Sequence, residues 1–230
     1  MTSDIKQFVN GCLRIKKYLN KRAGENKLTV IAPGDSPSKI VKFLEKTKSC
    51  PNCVFISFPI SGIGGSDGNK TEKDNQKIKE YIKTQLPKTL AIENTVFMDF
   101  INSGDTLQHI IISCKEKYKI SPVIIKKILY ELDFSYHEMS TYFINKEIKL
   151  PPYKNKKYIL NCRSFFNGNI YYLMAAENTN TRCLPKYNPI HPSKNVTINS
   201  SKTGCNKFVA NAIIFYKKVL IKTNPIQKLI

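Results

Sequence analysis

Three short apolar runs, at residues 28–32, 54–58 and 95–100, each end in a turn rich in Gly, Pro, Ser or Asp. A helical pattern follows each turn, and that repetition constrains the chain more than any other feature. A bounded apolar run of this length is a buried strand, and apolar residues spaced three or four apart mark the helix behind it. Strands alternating with helices build an α/β protein with a mainly parallel sheet flanked by helices.

The helical segments can be placed in the same way. Residues 4–20 carry Ile5, Phe8, Val9, Cys12, Leu13 and Ile15 on one face. After the first strand, Ile40, Val41, Phe43 and Leu44 form another such face, with Ser36 as the expected N-cap and Pro37 at the first helical position. The polar segment 71–85 reads as a surface helix, 106–114 continues from the third strand as a helix, and Ser121-Pro122 opens a further helix through 134. Beyond residue 150 the chain becomes richer in Asn, Tyr and Pro; "KKYILNC" reads as a strand and 206–220 as a closing helix. The expected organisation is a core over 1–150 and a C-terminal extension, 151–230, packed on it. No internal repeat is visible.

Length and composition set outer limits. A chain of 230 residues with 41% apolar residues is long and apolar enough for a substantial core. No stretch approaches the roughly eighteen consecutive apolar residues of a membrane span. The N-terminal segment lacks the basic-then-apolar layout of a secretory leader. The expectation is therefore no membrane and an intracellular, by default cytoplasmic, setting.

Thirty-seven basic residues against seventeen acidic ones give a net charge of +20, which favours polyanions. Nearly all are lysine; Arg14, Arg22, Arg163 and Arg182 are the arginines. Lysine supplies point charge without the bidentate geometry that reads phosphates and bases. The lysines are scattered, and biased codon usage accounts for them as well as nucleic-acid binding does.

Seven cysteines in a chain without a leader imply reduced thiols. The Cys-x-x-Cys at Cys50 and Cys53 precedes an apolar run instead of following one, and no second pair sits at zinc-ribbon spacing. It reads first as a structural turn, with a metal or redox site as the alternative. His109, His137 and His191 are isolated, and the Asn-x-Ser/Thr triplets at Asn69, Asn195 and Asn199 lack a secretory context.

The turns after the strands carry the functional signal, because N–H groups at a helix start attract anions. "GGSDGNKT" nearly spells a Walker A loop, but Asn69 stands where its second glycine belongs. It reads as a mobile surface loop. The other two turns form a pair. "VFMDFINSGDTL", a strand followed by an acid, Ser-Gly-x-Thr and a helix, resembles the ribose-phosphate loop of type I phosphoribosyltransferases. "LTVIAPGDSPSKI" resembles that family's pyrophosphate loop, and the resemblance covers residues 25–118.

The resemblance implies a phosphoribosyltransferase-like core. It assigns the 5′-phosphate to Asn102, Ser103, Gly104, Asp105 and Thr106, and the pyrophosphate to Gly34, Asp35 and Ser36. Lys70 lies on the intervening loop, where it would reach the leaving pyrophosphate. Asp99 is the candidate ribose contact. The implied ligand is phosphoribosyl pyrophosphate or a nucleotide, with magnesium required if transfer is retained.

The departures from the family pattern fall on its acids. Met98 replaces the first of two adjacent carboxylates, and Asn102 replaces the loop acid. Asn cannot act as a general base, a role worth about 10²–10⁴-fold. Weakened or lost catalysis is the expectation, and restoring the acids with Met98→Glu and Asn102→Asp is expected to strengthen magnesium-dependent binding. The alternatives are a non-catalytic structural or interaction protein, as in a virion or other large protein assembly, and a basic nucleic-acid binder.

Overall fold

The computed structural model describes residues 2–60, 63, 71–101, 104–132, 158–166, 182–185, 187–191, 195 and 201–223. Four strands, β1 (Leu28–Ile31), β2 (Cys53–Ile56), β3 (Thr95–Asp99) and β4 (Ile159–Asn161), form one sheet in the order β2-β1-β3-β4. Every pairing is parallel, with Val30 opposite Phe55 and Val96, and Met98 opposite Leu160. Six α-helices accompany them among the described residues: α1 (Thr2–Ala23), α2 (Asp35–Lys46), α3 (Glu72–Gln85), α4 (Asp105–Tyr118), α5 (Pro122–Glu131) and α6 (Ser201–Thr223).

Side chains that alternate along each strand divide the interior into two cores. Val30, Val96, Met98 and Leu160 face one layer, with Phe8, Cys12 and Ile15 of α1, Ile40 and Phe43 of α2, and Val209 of α6. Ile31, Phe97 and Ile159 face the other, with Ile78 and Ile82 of α3, Ile110 and Ile111 of α4, and Ile125 and Ile128 of α5. β1 and β3 are apolar because both of their faces are covered, whereas the edge strand β2 is only partly buried.

The handedness of the connections fixes which helix lies where. From β1 to β2 the chain moves one way along the sheet, and α2 lies on the first face. From β2 it returns past β1 to β3, and α3 lies on the second. Right-handed crossovers demand this exchange of faces when the direction reverses. The loops that leave β1 and β3 therefore diverge at the strands' C-terminal ends, the place where sheets of this kind open a crevice.

The fourth strand comes from beyond residue 150, so the C-terminal region completes the sheet as well as packing on it. Glu131 makes that docking specific: its buried Oε2 accepts the N–H groups of Tyr158 and Ile159 at 2.7 and 2.9 Å. Helix α6 then closes over α1 and α2. No helix among the described residues is long and apolar enough to cross a membrane.

Two sequence-based expectations need correction. Helix α2 starts earlier than the Ser36 cap implied: its N-cap is Gly34 and its first residue is Asp35. Gly34 turns the chain at φ 76°, which lets the helix begin directly behind the strand. The thiols are also not uniformly reduced, because Cys183 and Cys205 are bridged with their Cα atoms 5.3 Å apart. The odd count and the expected intracellular setting pointed to free thiols, and the pair meets only when segment 182–184 and α6 both close on α2.

Candidate functional site

The crevice is built from two loops that enter helices. Behind β1, Ala32 and Gly34 donate their N–H groups to Ile56 O at 2.8 Å and Phe58 O at 2.9 Å, tying the loop to the end of β2 and the segment after it. A Cβ at Gly34 would stand 3.0 Å from the backbone Ile60 O, so a side chain there would press on the neighbouring chain segment. Behind β3, Gly104 is the N-cap of α4 with φ 83° in the left-handed region. Neither helix has a side-chain hydrogen bond at its N-cap.

The two loops differ in how their polar groups are used. Asp35 is buried, and its Oδ1 accepts the N–H groups of Cys183 at 2.5 Å and Leu184 at 2.8 Å. Its Oδ2 pairs with Lys39 Nζ at 3.1 Å, and Ser38 Oγ donates to the Asp35 carbonyl at 2.6 Å. Burial pulls the Lys39 pKa down, while the Asp35 charge opposes that pull. Asp35 is therefore committed to the chain's own backbone and ammonium. Ser36 is half-buried beside it.

On the second loop, Asp99 ends β3 opposite Asn161. It is half-buried, and its Oδ1 accepts the N–H of Phe100 at 2.7 Å. Burial pushes its carboxyl up to about 7, only partly offset by that bond. Burial drives the Cys162 pKa upward, and the neighbouring Asp99 carboxyl adds to that rise. Asn161 Oδ1 accepts from Arg163 N at 3.0 Å and Ile101 N at 3.4 Å, fixing the neighbouring strand end. Asp105 and Thr106 open α4 and are both half-buried. Asn102, Ser103 and Lys70 lie outside the described residues.

Met98 is wholly buried in the first core. It is a packing residue, so the Met98→Glu replacement expected to restore metal binding would instead place a carboxylate among apolar side chains. The period-two alternation Val96, Met98 against Phe97 carried that information in the sequence. Among the described residues no group of three His, Cys, Asp or Glu side chains is placed to hold a metal. The one carboxylate of Asp99 does not by itself make a magnesium site.

The described cavities lie elsewhere. One of about 400 Å³ is lined by Gln7, Asn10, Leu13 and Arg14 on α1. Another of about 210 Å³ lies between α3 and α4, lined by Glu72, Asn75, Gln76, Lys79, His109 and Ile112. Neither brings together groups that suggest a reaction, and the strand ends where the order reverses remain the stronger candidate by topology. Compared with protein-family models, curated proteins and solved structures, the chain matches none of them.

Proposed function

We propose that this chain has a phosphoribosyltransferase-like core whose crevice binds a phosphorylated ribose or nucleotide, with group transfer weakened or lost. One observation carries the reading. Two helices, α2 and α4, start from positive-φ glycines at the C-terminal ends of adjacent parallel strands, where the strand order reverses. Helix starts in such a crevice offer backbone N–H groups and a favourable dipole to an anion.

Retained transfer has less support. Asp99 is the one carboxylate at the end of β3, and at neutral pH it is only partly ionised. Magnesium usually draws on one or two carboxylates together with substrate phosphates, so any ion here would depend heavily on the ligand's own oxygens. Asn102 can donate or accept a hydrogen bond but cannot take a proton as a general base.

A second reading, a non-catalytic interaction or structural protein, draws on the use made of Asp35. The loop assigned to pyrophosphate by resemblance spends its carboxylate on the chain's own segment at Cys183 and Leu184. Calorimetry with phosphoribosyl pyrophosphate, with and without magnesium, separates the readings. Heat of binding is expected, followed by no pyrophosphate release across purine, pyrimidine and nicotinate-type acceptors. Robust magnesium-dependent turnover would overturn the loss of catalysis. Absence of binding by any phosphate ligand would leave the interaction protein.

A further inference from the structure

The Cys50-Pro51-Asn52-Cys53 turn lies at the N-terminal end of β2, the opposite end of the sheet from the crevice. Cys53 N–H donates to Cys50 O at 3.1 Å, closing a four-residue turn. Such a turn holds its end Cα atoms within about 7 Å, and a disulfide spans about 4.4–6.8 Å. The two thiols are close enough to shift each other's acidity.

The turn is braced on both sides. Asn52 Nδ2 donates to Gly24 O at 2.8 Å, Asn52 O accepts from Leu28 N at 2.8 Å, and Asn20 Nδ2 donates to Ser49 O at 3.0 Å. The sulfurs differ in access: Cys50 is 6% exposed, whereas Cys53 is half-buried on an edge strand beside Val54, which is 51% exposed. Lys16 and Cys12 of α1 face Cys50. Among the described residues no third donor makes the pair a metal-binding group.

We propose that Cys50 and Cys53 form a dithiol–disulfide couple that reduces small dialkyl disulfides, with Cys53 attacking and Cys50 resolving. The Cys53 thiolate attacks one sulfur of R–S–S–R; a Cys53–S–R bond forms, the substrate S–S bond breaks, and the first RS⁻ takes up a proton. Cys50 loses its proton to solvent and attacks the Cys53 sulfur, displacing the second RS⁻, which is protonated in turn. The protein dithiol is oxidised by two electrons and the substrate becomes two thiols.

Two further features favour these roles. Each thiol shifts the other: the neighbouring Cys50 draws the Cys53 pKa below the ordinary thiol value, and Cys53, with burial, drives that of Cys50 above it. A thiolate is the attacking form of cysteine. Cys12, Cys114 and Cys162 provide internal comparison: all are buried, and burial raises each of them, Cys114 to about 12.

The test uses the full chain, reduced and then titrated with oxidised glutathione, acid-quenched, alkylated and peptide-mapped. The peptide holding both thiols is expected to lose two hydrogens as an internal bridge. Cys50→Ser should trap glutathione on Cys53, whereas Cys53→Ser should trap none on Cys50. Iodoacetamide should modify Cys53 about tenfold or more faster than Cys12 or Cys162. A wild-type pair that stays reduced at every glutathione ratio would overturn the proposal, as would an unmodified Cys53 in folded Cys50→Ser. The wild-type bridge is read without any variant, so misfolding of a variant does not obscure the result.

Discussion

Asp35 and Lys39 form an ion pair of 3.1 Å with side chains only 6% and 1% exposed. It is one helical turn long and lies at the start of α2, where the same carboxylate also holds two N–H groups from the far end of the chain. Removing one partner of a buried pair leaves the other charge uncompensated, at about 3–5 kcal/mol. Asp35→Ala is therefore expected to lower stability by about that amount in urea titration. Amide exchange at Cys183 and Leu184 should accelerate more than exchange in β1. Unchanged exchange there would mean that the carboxylate does not hold the segment.

Glu131 makes a second dock of the same kind, between the end of α5 and the start of β4. Glu131→Ala leaves the N–H groups of Tyr158 and Ile159 without their acceptor, at about 1–3 kcal/mol for each buried group. Loss of exchange protection is expected at Tyr158 and Ile159 before any loss in β1. A variant that unfolds with uniform loss of protection would instead make β4 integral to the cooperative core.

These two docks show where reading the sequence stops. Strands and helices were legible because each is a local pattern: Ile5, Phe8, Cys12 and Ile15 recur at helical spacing whatever they pack against. That β1, β2 and β3 share one parallel sheet was legible too, but their order, with β1 between β2 and β3, was not. That Asp35 would meet Cys183, or Glu131 meet Ile159, depends on three-dimensional closure across long separations, and a lone acid in a polar stretch carries no mark of it. The Cys183–Cys205 bridge belongs to the same class. Within the candidate site, Gly34 and Gly104 were legible as turn glycines, whereas the use of Asp35 by the chain itself was not.

Met98 gives a test of the packing argument. It is fully buried between the strands and the layer of α1, α2 and α6. A carboxylate there must ionise without solvent or stay protonated, and an unpaired buried charge costs several kcal/mol. Met98→Glu is expected to lower the thermal midpoint sharply, whereas Met98→Leu should cost less than about 1.5 kcal/mol. Equal midpoints for the two variants would place this side chain outside the core.

Asp99 should make stability depend on pH in an unusual direction. Its carboxyl is raised from the ordinary 3.8 to about 7 in the folded protein. Between those values the native state keeps a proton that the unfolded chain has lost, so stability falls as pH rises through this window. The slope is at most roughly 1.4 kcal/mol per pH unit from this one group. Asp99→Asn should flatten the decline and be the more stable form at pH 8. A wild type whose denaturation midpoint rises from pH 4 to 7, with no difference in slope from Asp99→Asn, would contradict the burial of this carboxyl.

The crevice itself is best tested at Gly104, because its backbone and its proposed function pull on the same residue. At φ 83° a β-branched side chain is strained, by roughly 1–2 kcal/mol or more, and its bulk would stand at the N-cap of α4 where a phosphate would approach. Gly104→Val should abolish the binding heat of phosphoribosyl pyrophosphate while leaving the far-ultraviolet dichroism of the α/β core in place. Gly24→Val is the matched control. Its φ is 56°, nothing lies within 4 Å of a built Cβ, and it stands at the end of α1, outside the loops that form the crevice. Both variants should lose comparable stability, but only Gly104→Val should lose the ligand. If both bind as the wild type does, phosphate does not sit on the α4 N-terminus; if both fail equally, the loss reports strain on the fold and the crevice has no special claim.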